Sequence, residues 1–234
     1  MTKIMLLNIL GFGFLLGIKH ALEADHITAV STIAVNQNSM KKSCLLGAFW
    51  GFGHTISLFV AGLLILLLKI TIPKKLVLSL DLIIGVMLIL LGFNVFLTIK
   101  KEKIHFHKHR HGKEEHIHFH SHEPVKQHYH KHLPFKKSLF IGLIHGFAGS
   151  AALSLLVLTT IQSFWMGVIY IAIFGLGSII GMMLVGAVIS LPLKLIPSYL
   201  IKSHKFLKFS IGLISIMLGF IMTYNLVFYG VYYE

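Results

Sequence analysis

The chain has 234 residues, 56% of them hydrophobic and only 12% charged, and a formal net charge of +13. A soluble domain carries about a quarter of its residues as Asp, Glu, Lys and Arg, so these proportions exclude an ordinary water-soluble fold and describe an all-α integral membrane protein. The positive balance does not mark a nucleic-acid binder: ten of the twenty-one Lys and Arg lie from Lys100 to Lys137, between apolar stretches, with no basic helix or RNP-like aromatic motif.

Six apolar segments follow one another, each long enough to cross about 30 Å of hydrocarbon. They are Ile4–Val35, Cys44–Leu68, Leu76–Ile99, Ser138–Thr160, Phe164–Leu191 and Phe206–Tyr229, with all five prolines placed between them. The start of the chain (Lys3, then an apolar run) imitates a secretory signal. It lacks a small-x-small cleavage site and runs into a polar cluster, so it is expected to be retained.

That cluster lies within Gly17–His26 and holds His20, Glu23, Asp25 and His26, with Lys19 beside them. Ionisable groups inside a lipid-spanning stretch cost several kcal/mol and mark function by default. The first segment is too long for one straight crossing, so it is either strongly tilted or broken near these residues. On a regular helix, at about 100° per residue, His20, Glu23 and His26 form a stripe of about 120°, with Asp25 about 140° from His20. One ion cannot be held by all four from a continuous helix. Either the segment unwinds here, or Asp25 orients a liganding imidazole such as His54. Lys19 is expected to point away from any cation.

The second segment places His54 near its middle, within Gly51-Phe52-Gly53-His54-Thr55. The third adds one intramembrane carboxylate, Asp81. Between the third and fourth, histidine recurs at alternate positions, as at His105, His107, His109 and His111, then His116, His118, His120 and His122. Alternation puts such residues on one face of an extended chain, in a loop polar enough to be disordered. A histidine-rich tract is also a compositional metal-binding signal, read here as buffering or sensing rather than transport. The fourth segment contributes His145. Imidazole with carboxylate suits a borderline ion such as Ni²⁺, Co²⁺ or Zn²⁺, whereas Mg²⁺ and Ca²⁺ favour oxygen donors. The candidate metal residues are therefore His20, Glu23, Asp25, His26, His54 and His145. The single cysteine, Cys44, excludes an internal disulfide, a CxxC motif and a thiolate zinc knot.

An internal repeat organises the spans. Gly17-Ile18-Lys19-His20-Ala21 aligns with Gly142-Leu143-Ile144-His145-Gly146, Gly51–His54 with Gly175–Ser178, and the pair Gly85 and Gly92 with Gly212 and Gly219. Three crossings reverse the chain, so the two units are expected as inverted repeats with the site at their interface. The expected units are a first three-helix repeat (1–100), a histidine-rich cytoplasmic loop (101–137) and a second three-helix repeat (138–234). Glycine pairs four apart (Gly13/Gly17, Gly47/Gly51, Gly177/Gly181) should allow close helix packing. Sixteen Lys and Arg flank one side of the spans and four the other. The positive-inside rule then puts the central loop in the cytoplasm and both termini outside.

His20-Ala21-Leu22-Glu23-Ala24-Asp25-His26 resembles the signature of the nickel/cobalt transporter (NiCoT) family, a histidine, four residues, then Asp-His. The stretch ending in His54-Thr55 resembles that family's second histidine motif. Six spans and His145-Gly146-Phe147-Ala148-Gly149-Ser150-Ala151-Ala152 look closest to its UreH-type branch, permeases associated with urease. The resemblance implies transport of Ni²⁺ or Co²⁺ across the cytoplasmic membrane, with His20, Asp25, His26 and His54 as metal residues. It also implies nickel-enzyme maturation proteins as partners. The metal is cargo, and neither a resident cofactor nor an enzyme activity is expected. The usual member has eight spans, two more than are read here.

No Walker-type sequence is present, so ATP is not hydrolysed by that route. A divalent ion moving into a cell held 100 mV negative gains about 4.6 kcal/mol, which favours uptake without a coupled ion. Two other readings stay open. The long histidine-rich loop resembles related nickel/cobalt efflux proteins, although Asp25 favours the uptake branch. From another class, span histidines could hold haem in a membrane electron carrier.

Overall fold

In lipid, backbone groups must find partners within their own segment, which leaves helices for apolar runs of this kind. A computed structural model describes residues 3–37, 39–69, 73–101, 105–111, 114–120, 133–147, 163–196 and 201–229. Among these, the elements in order are α1 (Lys3–Ala21), α2 (Ala24–Ala34), α3 (Met40–Leu68), α4 (Lys74–Lys101), β1 (His105–His111), β2 (Glu114–His120), α5 (Leu133–Gly146), α6 (Phe164–Leu195) and α7 (Ile201–Tyr229).

Four of the helices are long and apolar enough to cross a membrane, over Met40–Leu68, Lys75–Lys100, Phe164–Pro192 and Ser203–Phe228. The other two expected segments differ. Ile4–Val35 is divided into α1 and α2, while Ser138–Thr160 is described only as far as Phe147, within α5 and the turn after it. Two prolines expected between segments lie inside helix ends. Pro134 sits in the first turn of α5, where its missing N–H costs nothing, and Pro192 in the last turn of α6.

The bundle is apolar outside and polar inside. Phe12, Leu64, Leu90, Phe93, Leu184 and Phe220 are exposed, whereas Ser43, His54, Ser57, Ser138, His145, Ser178 and Ser215 are buried. In water that distribution would be unfavourable; with hydrocarbon as solvent it is the expected one. α6 packs along α1 and α3, α3 also packs along α5, and α4 pairs with α7. The short α2 touches α3, α4, α6 and α7.

Glycine makes these contacts close. A methyl group added at Gly17 would strike the Phe174 carbonyl, and one added at Gly142 the Trp50 carbonyl. The other members of the spaced pairs also face a neighbour: Gly13 meets Tyr170, Gly47 Met182, Gly51 Ile179, Gly177 Phe14 and Gly181 Ala21. Hydroxyls then bridge backbones across the interfaces. Ser138 Oγ donates to the Leu46 carbonyl, Ser57 Oγ to that of Leu143 and Ser215 Oγ to that of Leu88, each at 2.7 Å. Such a bond contributes about 0.6 kcal/mol in a membrane bundle. Ala29, Val30, Trp50, Leu88, Ile141, Met182 and Val185 fill the core.

Part of the histidine-rich stretch departs from the expectation of disorder. β1 and β2 form an antiparallel hairpin whose register opposes His105 to His120, His107 to His118 and His109 to His116. Its period-two alternation and Phe106, Ile117 and Phe119 suit a strand, which outweighs the polar composition. His122, His128, His130 and His132 lie outside the described residues.

A candidate metal centre at a helix break

The first segment unwinds where the ligand arithmetic requires it. Leu22 N–H donates to the Lys19 carbonyl and Glu23 N–H to that of His20, both at 3.0 Å, closing α1 with a tight turn. Glu23 is extended (φ −68°, ψ 151°), and the Ile27 N–H bond to its carbonyl begins α2. Charge matches the two new helix ends: Lys19 and His20 occupy the last turn of α1, and Asp25 the first turn of α2. Lys19 itself is exposed.

The break turns Asp25 and His26 into the bundle, where α3 presents His54 and the end of α5 presents His145. All four histidines are buried, none more than 3% exposed. The Asp25 carboxylate joins two of them: Oδ1 lies 3.0 Å from His26 Nδ1 and Oδ2 lies 3.1 Å from His145 Nε2. Ionised Asp25 accepts only, so these nitrogens carry the protons and the opposite nitrogens present lone pairs. Those opposite atoms, His26 Nε2 and His145 Nδ1, are buried without a hydrogen-bond partner.

On the other side of His26, His20 Nε2 and His54 Nε2 stand 3.1 Å apart. At metal–nitrogen distances of about 2.05 Å, that separation corresponds to a ligand–metal–ligand angle of about 98°, within the range of tetrahedral and square-based geometries. His20 Nδ1 faces Glu23 Oε2 at 3.2 Å, so the carboxylate fixes the ring that offers Nε2. Glu23 forms the exposed edge of the cluster, with 37% of its side chain accessible against 14% for Asp25.

The six residues singled out from the sequence are therefore brought together around one break. His20, His26 and His54 can converge on one ion, as can Asp25, His26 and His145, with ligand atoms in each set within 4.8 Å of one another. Glu23 belongs to neither triad and contacts His20. Sequence reasoning missed the walls: the Trp50 ring stands 5.6 Å from His145 and that of Phe174 5.5 Å from His20. It also passed over Ser178, buried and with no partner for its Oγ, although the repeat aligns it with His54.

A buried set of imidazoles and carboxylate inside an apolar helical bundle defines a multi-pass membrane protein equipped for a transition-metal ion. The family model described as NicO, high-affinity nickel-transport protein, matches residues 6–231. The chain belongs to that family of nickel transporters, and so is a transport protein rather than an enzyme. It is 39% identical over 226 residues to the urease accessory protein UreH of Bacillus sp. (strain TB-90), covering 97% of this chain and 95% of that one. A 58-residue stretch is 41% identical to the Arabidopsis thaliana chloroplast protein FOR GROWTH AND FERTILITY 1, covering 24% of this chain and 16% of that protein. No solved structure matches.

Proposed function

We propose that this chain imports Ni²⁺, and Co²⁺ with it, across the cytoplasmic membrane, binding the ion among His20, Asp25, His26, His54 and His145 with Glu23 as a support. One observation carries the reading: four buried histidines and a carboxylate meet where a membrane-embedded helix is broken. Radiolabelled nickel accumulation in expressing cells tests it. Asp25→Asn and His26→Ala should each lower accumulation at least tenfold, and unchanged accumulation would overturn the assignment.

The same cells decide direction. Import raises cell nickel; export, to which the likeness of the histidine-rich loop to efflux proteins points, would lower it and raise nickel tolerance. Haem fits less well. Trans axial histidines stand about 4 Å apart, twice a metal–nitrogen distance of about 2.0 Å, whereas His20 and His54 approach to 3.1 Å.

The architecture proposed is six spans in two inverted repeats, 1–100 and 138–234, joined by a cytoplasmic loop at 101–137, with both termini outside. Its support lies in matched contacts. Gly17 abuts Phe174 as Gly142 abuts Trp50, and these positions correspond under the sequence repeat. Gly92 abuts Gly212 as Gly219 abuts Gly85 in the same correspondence. The likeness to a urease accessory protein supports nickel-enzyme maturation proteins as recipients of the ion.

A further inference from the structure

The five metal-competent side chains do not converge on a single point. His20, His26 and His54 form one set and Asp25, His26 and His145 the other, and the two share only His26. Ring centroids of His26 lie 4.4 Å from His20 and 4.3 Å from His145, while those of His54 and His145 lie 5.9 Å apart. The two nitrogens of His26 face different surroundings. Nδ1 meets Asp25 Oδ1 at 3.0 Å, and Nε2 is buried with no partner. Lone pairs on an imidazole point away from each other in the ring plane, so one ion cannot use both.

We infer that the cluster contains two successive metal positions that share His26: an all-imidazole position with His20 and His54, and a carboxylate position with Asp25 and His145. The inference rests on the nickel-binding reading above and divides the site in two. The first position is made of neutral donors and adjoins Glu23, the exposed edge of the cluster. The second offers an anionic ligand, Asp25, beside fully buried His145. With the ion on Nε2, His26 keeps its proton on Nδ1, held by Asp25. With the ion on Nδ1, that proton sits on Nε2, and that of His145 sits on Nδ1. The two protons change nitrogen, but none is gained or lost between the states, so the net charge of the protein is unchanged by the handover.

The test uses the purified full-length chain in detergent, with the eleven histidines from His105 to His132 replaced by Gln in every sample so that the tract holds no nickel, loaded with Ni²⁺ alone, with coordination read by X-ray absorption and affinity by equilibrium dialysis. His145→Ala should retain an ion held by three imidazoles. His54→Ala should retain one held by two imidazoles and a carboxylate. His26→Ala should lose both, lowering affinity more than a hundredfold. Both single-position variants should lose nickel uptake despite binding, because the ion has no second position to reach. His54→Gln and His145→Gln, closer in volume and polarity, repeat the comparison if an alanine variant fails to fold. If the His54 and His145 variants show the same residual coordination and the same loss of affinity, there is one composite site and the proposal fails. A wild-type chain that binds no Ni²⁺ would overturn the underlying reading as well. Wild-type binding with indistinguishable variants would overturn the two-position scheme alone.

Discussion

Glu23 shows how much of this centre depends on a residue outside both triads. Its carboxylate lies 3.2 Å from His20 Nδ1 and sets the ring so that Nε2 faces His54. Removing a partner that orients a metal-binding histidine typically costs 10–100-fold in affinity. Glu23→Ala should therefore raise the nickel concentration for half-maximal uptake by about 10–100-fold, and Glu23→Gln, which still offers an oxygen to Nδ1, should recover most of the loss. Equal damage by both would show that charge, not orientation, is what Glu23 supplies. The candidate residues were legible in the sequence because ionisable groups in lipid need a reason. Even His145, weak evidence alone, gained meaning from its alignment with His20. Their pairing was not legible: whether Asp25 reaches His145 or His54 depends on helix rotation, which spacing does not fix. Trp50, Phe174 and Ser178 stayed hidden because aromatic and hydroxyl side chains are ordinary in membrane helices.

At the scale of elements, the division into α1 and α2 was foreshadowed by two independent features, an apolar run too long for one crossing and ligands too widely spread for one helix face. The hairpin was not, because polar composition reads as disorder and strand pairing depends on register. That register places six histidines at opposed positions of one ladder. If the tract buffers the ion rather than carries it, replacing residues 101–132 with a Gly/Ser linker of equal length should lower the nickel bound per chain while leaving uptake from saturating nickel within about twofold of normal. Loss of uptake with normal binding at the buried cluster would give the tract a transport role. The hydroxyl bridges belong to the same scale: Ser57, Ser138 and Ser215 each tie one helix to another at a backbone carbonyl. They hold the frame on which α3 and α5 present their histidines.

For the whole molecule, driving force is the measurable property. A carrier that moves a bare divalent ion inward responds to voltage with two charges, about 4.6 kcal/mol per 100 mV. In proteoliposomes, an inside-negative potential set by potassium and valinomycin should accelerate nickel accumulation, and an inside-positive potential should suppress it. Indifference to potential would show that compensating charge moves with the ion. The membrane class was legible from composition and length alone. The grouping of helices was not, since glycine spacing predicts that helices approach closely without saying which ones. The contacts answer it: α1, α3, α5 and α6 interlock, and α4 locks against α7 through Gly85, Gly92, Gly212 and Gly219.

Between those two groups stands α2, which touches α3 and α6 on one side and α4 and α7 on the other. It is only 11 residues long, and Asp25 and His26 sit in its first turn. A short beam shared by two stiff frames takes up most of any relative movement between them. If the α4–α7 pair rocks against the other helices, the end of the beam that holds His26 stays tied to the first frame, since Asp25 reaches His145 and His26 packs against His20, and the bend falls on the rest of α2. The ion would then rest on the still end of the machine, and movement of the other pair would reach it only as strain along one small helix.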